Sequence, residues 1–124
     1  MTIVKKISLI LMIIGYIAAG INHFRVPQFY IAIIPAYIPY PQFMNGAAGI
    51  FEIMFGLGLT FQPARKLAAW GIVLMLAAFL PVHISMITDA PFKVGAATVS
   101  PVLAWLRLAL QPVLMLWAWW LTPD

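Results

Sequence analysis

Residues 43–61 read FMNGAAGIFEIMFGLGLTF, an apolar run whose only charged residue, Glu52, stands at its centre. A carboxylate in mid-membrane costs about 2.5–3.5 kcal/mol on insertion scales. The run is long enough to span a bilayer, so something inside the protein has to answer that charge. Asn45, Gly49, Glu52 and Gly56 recur at i, i+4, i+7 and i+11 and form one helical stripe. Small residues on a membrane helix mark the face that packs closely on another helix. Glu52 is therefore expected to point into a bundle and away from lipid.

The rest of the chain agrees with a membrane setting. Of its 124 residues 65% are hydrophobic and 8% charged, and the mean hydropathy is +1.02. Soluble domains run about 45–50% apolar and about 25% charged. A span needs roughly 20 apolar residues, so this length accommodates four spans with short connections in one membrane domain. The expected spans are 4–24, 41–61, 67–88 and 101–121. Ser100-Pro101 is a helix-start pair, with Ser as cap and Pro at the first helical position. The opening MTIVKKISLILMIIGYIAAG has the layout of a signal peptide, but its apolar run can span, and the reading is an uncleaved first helix.

The formal net charge of +4 comes from a few basic residues that mostly flank the spans. That points to membrane orientation, not to nucleic acid. Lys5, Lys6, Arg65 and Lys66 fall on one side if all four spans cross; Arg25 and Lys93 fall on the other. Positive-inside counting then puts both termini in the cytoplasm. Trp70, Trp117, Trp119 and Trp120 fit an inner interface belt, with Trp105 near the outer face. The absence of cysteine excludes a disulfide framework, CxxC chemistry and thiolate-held iron–sulfur clusters.

The first outer connection, RVPQFYIAIIPAYIPYPQ, carries Pro27, Pro35, Pro39 and Pro41 yet is too apolar for a free loop. Proline excludes a long helix there. The segment is expected at the membrane surface, with Phe29, Tyr30, Tyr37 and Tyr40 at headgroup depth. It serves either as an interfacial clip or as a cover for the bundle's outer mouth.

The other polar residues inside the spans fall in the outer half of the bundle. Gly15, Ala19 and Asn22 make a stripe on span 1 with His23 beside it, Arg107 and Gln111 share a face of span 4, and span 3 contributes His83. At about 1.5 Å per residue, Glu52 lies roughly 16 Å below Pro41 and Arg107 roughly 9 Å below Pro101. The expected arrangement pairs Glu52 with Arg107, while Gln111, His83, Asn22 and Asn45 complete the hydrogen bonds. Such a pair either fixes helix register or forms part of a ligand or proton site. Tyr16 could donate its hydroxyl inward. His23 and His83 read as hydrogen-bonded histidines; two histidines with Glu52 as a metal site is the sharper alternative, without a metal-ligand spacing behind it. Pro81 and Pro112 are expected to kink their helices. No nucleophile–base arrangement, phosphate loop or dinucleotide fingerprint occurs.

The segments AGINHFRVPQFY, IPAYIPYP, GIFEIMFGLGLTFQPARKLAAWG, PVHISM and WLRLALQPVLMLWAWW, in this order, resemble the DoxX-like family of small bacterial membrane proteins. The matching positions are Asn22, His23, Phe24, Glu52, Arg65, His83, Arg107 and Gln111. The resemblance implies an all-α, four-transmembrane-helix bundle in the cytoplasmic (inner) membrane, and it points towards respiratory, quinone-linked systems. It implies no settled activity.

The first functional expectation is thus a non-catalytic accessory protein or subunit of a membrane system, with the bilayer, other membrane subunits or a second copy as partners. The alternative is a binder or carrier of a small lipophilic or polar molecule, a quinone or a lipid among the candidates. A redox enzyme is disfavoured by the missing cysteines and cofactor motifs. A closed subunit predicts Glu52 and Arg107 in contact without a cavity. A binder predicts a cavity reaching Glu52, and no polar path continues from there to the inner side.

Overall fold

The computed structural model of the chain describes residues 1–94 and 96–122. Its elements are α1 (Ile3–Arg25), α2 (Pro27–Ile33), α3 (Pro41–Thr60), α4 (Gln62–Ala78), α5 (Leu80–Asp89), β1 (Phe92–Val94), β2 (Ala97–Val99) and α6 (Pro101–Trp120). Four segments are long and apolar enough to cross a membrane: α1, α3, the 28-residue stretch Gln62–Asp89 that joins α4 to α5, and α6. This is what a multi-pass membrane protein requires.

Local chemistry sets the ends of these helices. The Thr2 hydroxyl accepts from the Lys5 amide at 3.2 Å and starts α1. Ser100 does the same for α6, accepting from the Leu103 amide at 3.1 Å with Pro101 in the first turn. Val26 precedes a proline, leaves the helical region (φ −130°, ψ 62°) and ends α1. Pro27 then opens the short α2. A single extended residue, Phe61, separates α3 from α4. The QPARK residues belong to α4: Arg65 and Lys66 sit in its first turns, and the Arg65 Nε donates to the Leu59 carbonyl at 2.9 Å, closing the end of α3. Span 3 breaks at Phe79, and Pro81 occupies the first turn of α5. Proline supplies no N–H to the preceding turn, so the helix restarts there.

The connection before α6 departs from a purely helical reading. β1 and β2 form an antiparallel hairpin that pairs Phe92 with Val99, Lys93 with Thr98 and Val94 with Ala97. Val94 and Val99 are buried while Lys93 and Thr98 face out. Period-2 alternation over such short strands carries little signal beside four long apolar runs.

α1 packs along α3, α3 on α4, and both α4 and α5 on α6. The closest approach is between α1 and α3 at Gly20 and Gly49. A Cβ on Gly20 would lie 2.6 Å from the Gly49 carbonyl oxygen, and one on Gly49 would lie 3.0 Å from that of Gly20. A Cβ on Gly15, expected on this face, would meet nothing within 4 Å; Gly20 takes its place. The main core joins Leu9 and Met12 of α1, Leu59 of α3, Ala68, Ala69, Ile72 and Leu76 of α4, and Ala118 and Leu121 at the end of α6. It lies towards the chain ends, where the Lys5 ammonium sits 5.4 Å from the Trp120 ring. Outward faces expose Ile7, Ile14, Leu57, Leu74, Leu106 and Val113, as a lipid-facing surface does.

Candidate functional site

The half of the molecule away from the chain ends is hollow. A cavity of about 420 Å³ lies between one wall made by α1, α2 and α3 and another made by α5, Val99 and α6. Its apolar surface includes Phe29, Ile33 and Ile34 of the first connection, Phe79 at the helix break, and Val82, Met86 and Leu103. Its polar residues are His23, Tyr30, Asn45, Glu52, His83 and Arg107. The volume falls in the ~300–1,000 Å³ range of small-molecule sites, which typically combine apolar walls with a few polar groups.

Glu52 is answered by His23, not by Arg107. Its Oε1 lies 3.5 Å from His23 Nε2. Among the described residues no ion pair joins Glu52 to Arg107, although the two remain within Coulombic reach. The reason is the close approach at Gly20 and Gly49, which presses α1 onto α3 and delivers His23 to the carboxylate. The cavity holds α6 away. Tyr16 of α1 is within Coulombic reach of both Glu52 and Arg107.

His23 is held on every side. Its Nδ1 lies 2.8 Å from Asn45 Oδ1, and Asn45 Nδ2 donates to the His23 carbonyl at 2.9 Å. Its ring stacks on Tyr30 at 3.8 Å between centroids. Asn22 lies outside this cluster. It donates to the Tyr30 hydroxyl at 2.7 Å and accepts from Arg25 Nε at 3.2 Å and Nη2 at 3.0 Å. It fastens α2 to α1 and completes no hydrogen bond of Glu52 or Arg107, contrary to the expectation from its stripe.

Arg107 donates from Nη1 to Gln111 Oε1 at 3.0 Å, and Gln111 in turn donates to the Leu76 carbonyl at 2.7 Å. Gln111 is fully buried and stands behind Arg107, not on the cavity wall. Glu52 and His83 are only 6% and 7% exposed, yet among the described residues Glu52 Oε2 and His83 Nδ1 have no hydrogen-bond partner. Buried polar atoms are normally paired, and an unpaired one costs about 1–3 kcal/mol. Both residues line the cavity, although these two atoms themselves are shut off from it.

Of the residues anticipated for the cluster, the cavity thus brings together Glu52, His23, Asn45, His83 and Arg107; Gln111 supports from behind and Asn22 from outside. The cavity also recruits α2, above all Tyr30, whose inward role left no periodic signal in a proline-rich segment. Tyr37 and Tyr40 stay exposed, as an interfacial position requires. The metal alternative finds no group of three His, Cys, Asp or Glu residues among the described residues.

Comparison with curated proteins and with solved structures returns no match. A family model described as a domain of unknown function (DUF8561) matches residues 12–122, so it takes in every cavity residue, and the chain belongs to that family.

Proposed function

We propose that this protein binds a small, largely apolar molecule in the cavity between α2, α3, α5 and α6. The reading places it in the cytoplasmic membrane of a bacterium, N-terminus and C-terminus both inside, as a bundle of the DoxX-like type that performs no chemistry of its own. The observation that carries it is the cavity itself, an apolar space with Glu52, His23, Asn45, His83 and Arg107 on its walls. A closed structural subunit calls for the opposite: Glu52 in contact with Arg107 and side chains filling the space between them. Service as a subunit of a quinone-linked system is compatible with binding. The packed half near the chain ends gives a bound molecule no polar route across, so the reading is a binder and not a carrier.

Native mass spectrometry of protein gently extracted from its own membrane tests this. The wild type should release a bound small molecule, and Ala48→Phe, which fills the cavity from α3, should lose it. An empty wild type, or a molecule retained equally by the filled variant, rejects the site. Solute flux abolished by Glu52→Gln would replace binding with transport.

A further inference from the structure

The cavity's hydrogen bonds fix its charge. Asn45 donates through Nδ2 to the His23 carbonyl, which can only accept, so the orientation of the amide is determined. Its Oδ1 therefore faces His23 Nδ1, and Nδ1 must carry a hydrogen. With Nδ1 so occupied, a neutral ring turns the lone pair of Nε2 towards Glu52 Oε1. That contact is attractive only with a proton between the two atoms. The pair is then imidazolium with carboxylate, or imidazole with carboxylic acid; each form sums to zero. Glu52 is spent on His23.

Arg107 stays charged in any protein setting. Its hydrogen-bond partner is Gln111, a neutral amide whose oxygen is aimed at it by the bond from Gln111 to Leu76. The other acid among the described residues, Asp89, accepts from Ser85 at an exposed position. With His83 a neutral imidazole, the cavity region carries one net positive charge, and an unpaired charge in a membrane interior is costly. A guanidinium has five donors, and one direct bond leaves the others for the cavity that Arg107 lines. His83 lines the same cavity.

We infer that the occupant is a monoanionic amphiphile, with an acid head group against Arg107 and His83 and an uncharged body along the apolar wall of Phe29, Ile33 and Met86. This rests on the binding reading above and adds the charge of the ligand. Glu52 sets its orientation, because an acid head on its side of the cavity meets carboxyl lone pairs and is repelled. A fatty acid from the bilayer and an aromatic acid from water offer the same chemistry.

The test compares each acid with its neutral alcohol. Purified protein in a neutral detergent is titrated calorimetrically with dodecanoate, dodecan-1-ol, benzoate and benzyl alcohol. At least one acid should bind about tenfold or more tightly than its alcohol, the scale of a charge-assisted hydrogen bond. Preference confined to dodecanoate assigns a lipid source, and preference confined to benzoate an aqueous one. Arg107→Gln should bring the acid-to-alcohol ratio close to one, and Arg107→Lys should retain part of the preference. If that variant does not fold, the acid-to-alcohol ratio of the wild type decides alone. Equal binding of acid and alcohol overturns the charge assignment and leaves the binding site standing. No binding of any of the four overturns the inference, while the molecule co-purified from the native membrane judges the parent reading separately.

Discussion

The two halves of this molecule handle the same apolar composition in opposite ways. Near the chain ends, Leu59, Ala69, Ile72, Ala118 and Leu121 have no exposed surface, and α1, α3, α4 and α6 meet there in one apolar core. In the far half, the helix break at Phe79, the short α2 and the β1–β2 hairpin spread the elements around a cavity. Small residues let helices close in the first half. Prolines and their interruptions keep them apart in the second. The buried ionisable groups His23, Glu52 and His83 lie in the half that stays open, and the packed half holds the helices together.

The contrast can be broken most severely from the packed side. Ile72→Ala should cost about 2–5 kcal/mol, because the surrounding helices have no slack with which to fill the hole; thermal unfolding in detergent measures it. A loss near zero would mean the two halves are equally loose. Next, Asn45→Leu should cost about 1–3 kcal/mol by stranding the His23 carbonyl and ring nitrogen. The His23–Tyr30 stacking, followed by tyrosine fluorescence, should loosen with it.

Double-mutant cycles sharpen the picture of the open half. His23→Gln with Glu52→Gln should show a coupling of about 0.5–3 kcal/mol, as residues in direct contact do. Glu52→Gln with Arg107→Gln should show less, since the cavity separates those two. The reverse ranking would restore the direct Glu52–Arg107 pair. The smallest effect is expected at the cavity wall: Leu103→Ala should cost about 1 kcal/mol or less, because its side chain already borders empty volume. The same change should still weaken ligand binding, which a purely structural wall would not.

How far the sequence could be read follows from the range of each interaction. The four spans were legible because bilayer thickness imposes a length and lipid imposes a composition, both properties of a single segment. The stripe of Asn45, Gly49, Glu52 and Gly56 was legible for the same reason, since the 3.6-residue period is local, and all four residues are buried. The hairpin was hidden by its shortness, and the inward turn of Tyr30 by the lack of any period between prolines. The partner of Glu52 was misread because charge alone favours the guanidinium, and nothing in the spacing says which helix comes nearest.

The amino-acid sequence therefore established a membrane-spanning helical protein with Glu52 on an inward face and five of the cavity's polar residues in its far half. The folded structure decided which of them touch. The contact of Gly20 with Gly49 sets α1 against α3 and gives Glu52 to His23. The break at Phe79 and the wedge of α2 hold Arg107 across an open space. Helix periodicity fixes direction around one axis, but distance between axes depends on where backbones can approach, and that is a property of pairs of helices.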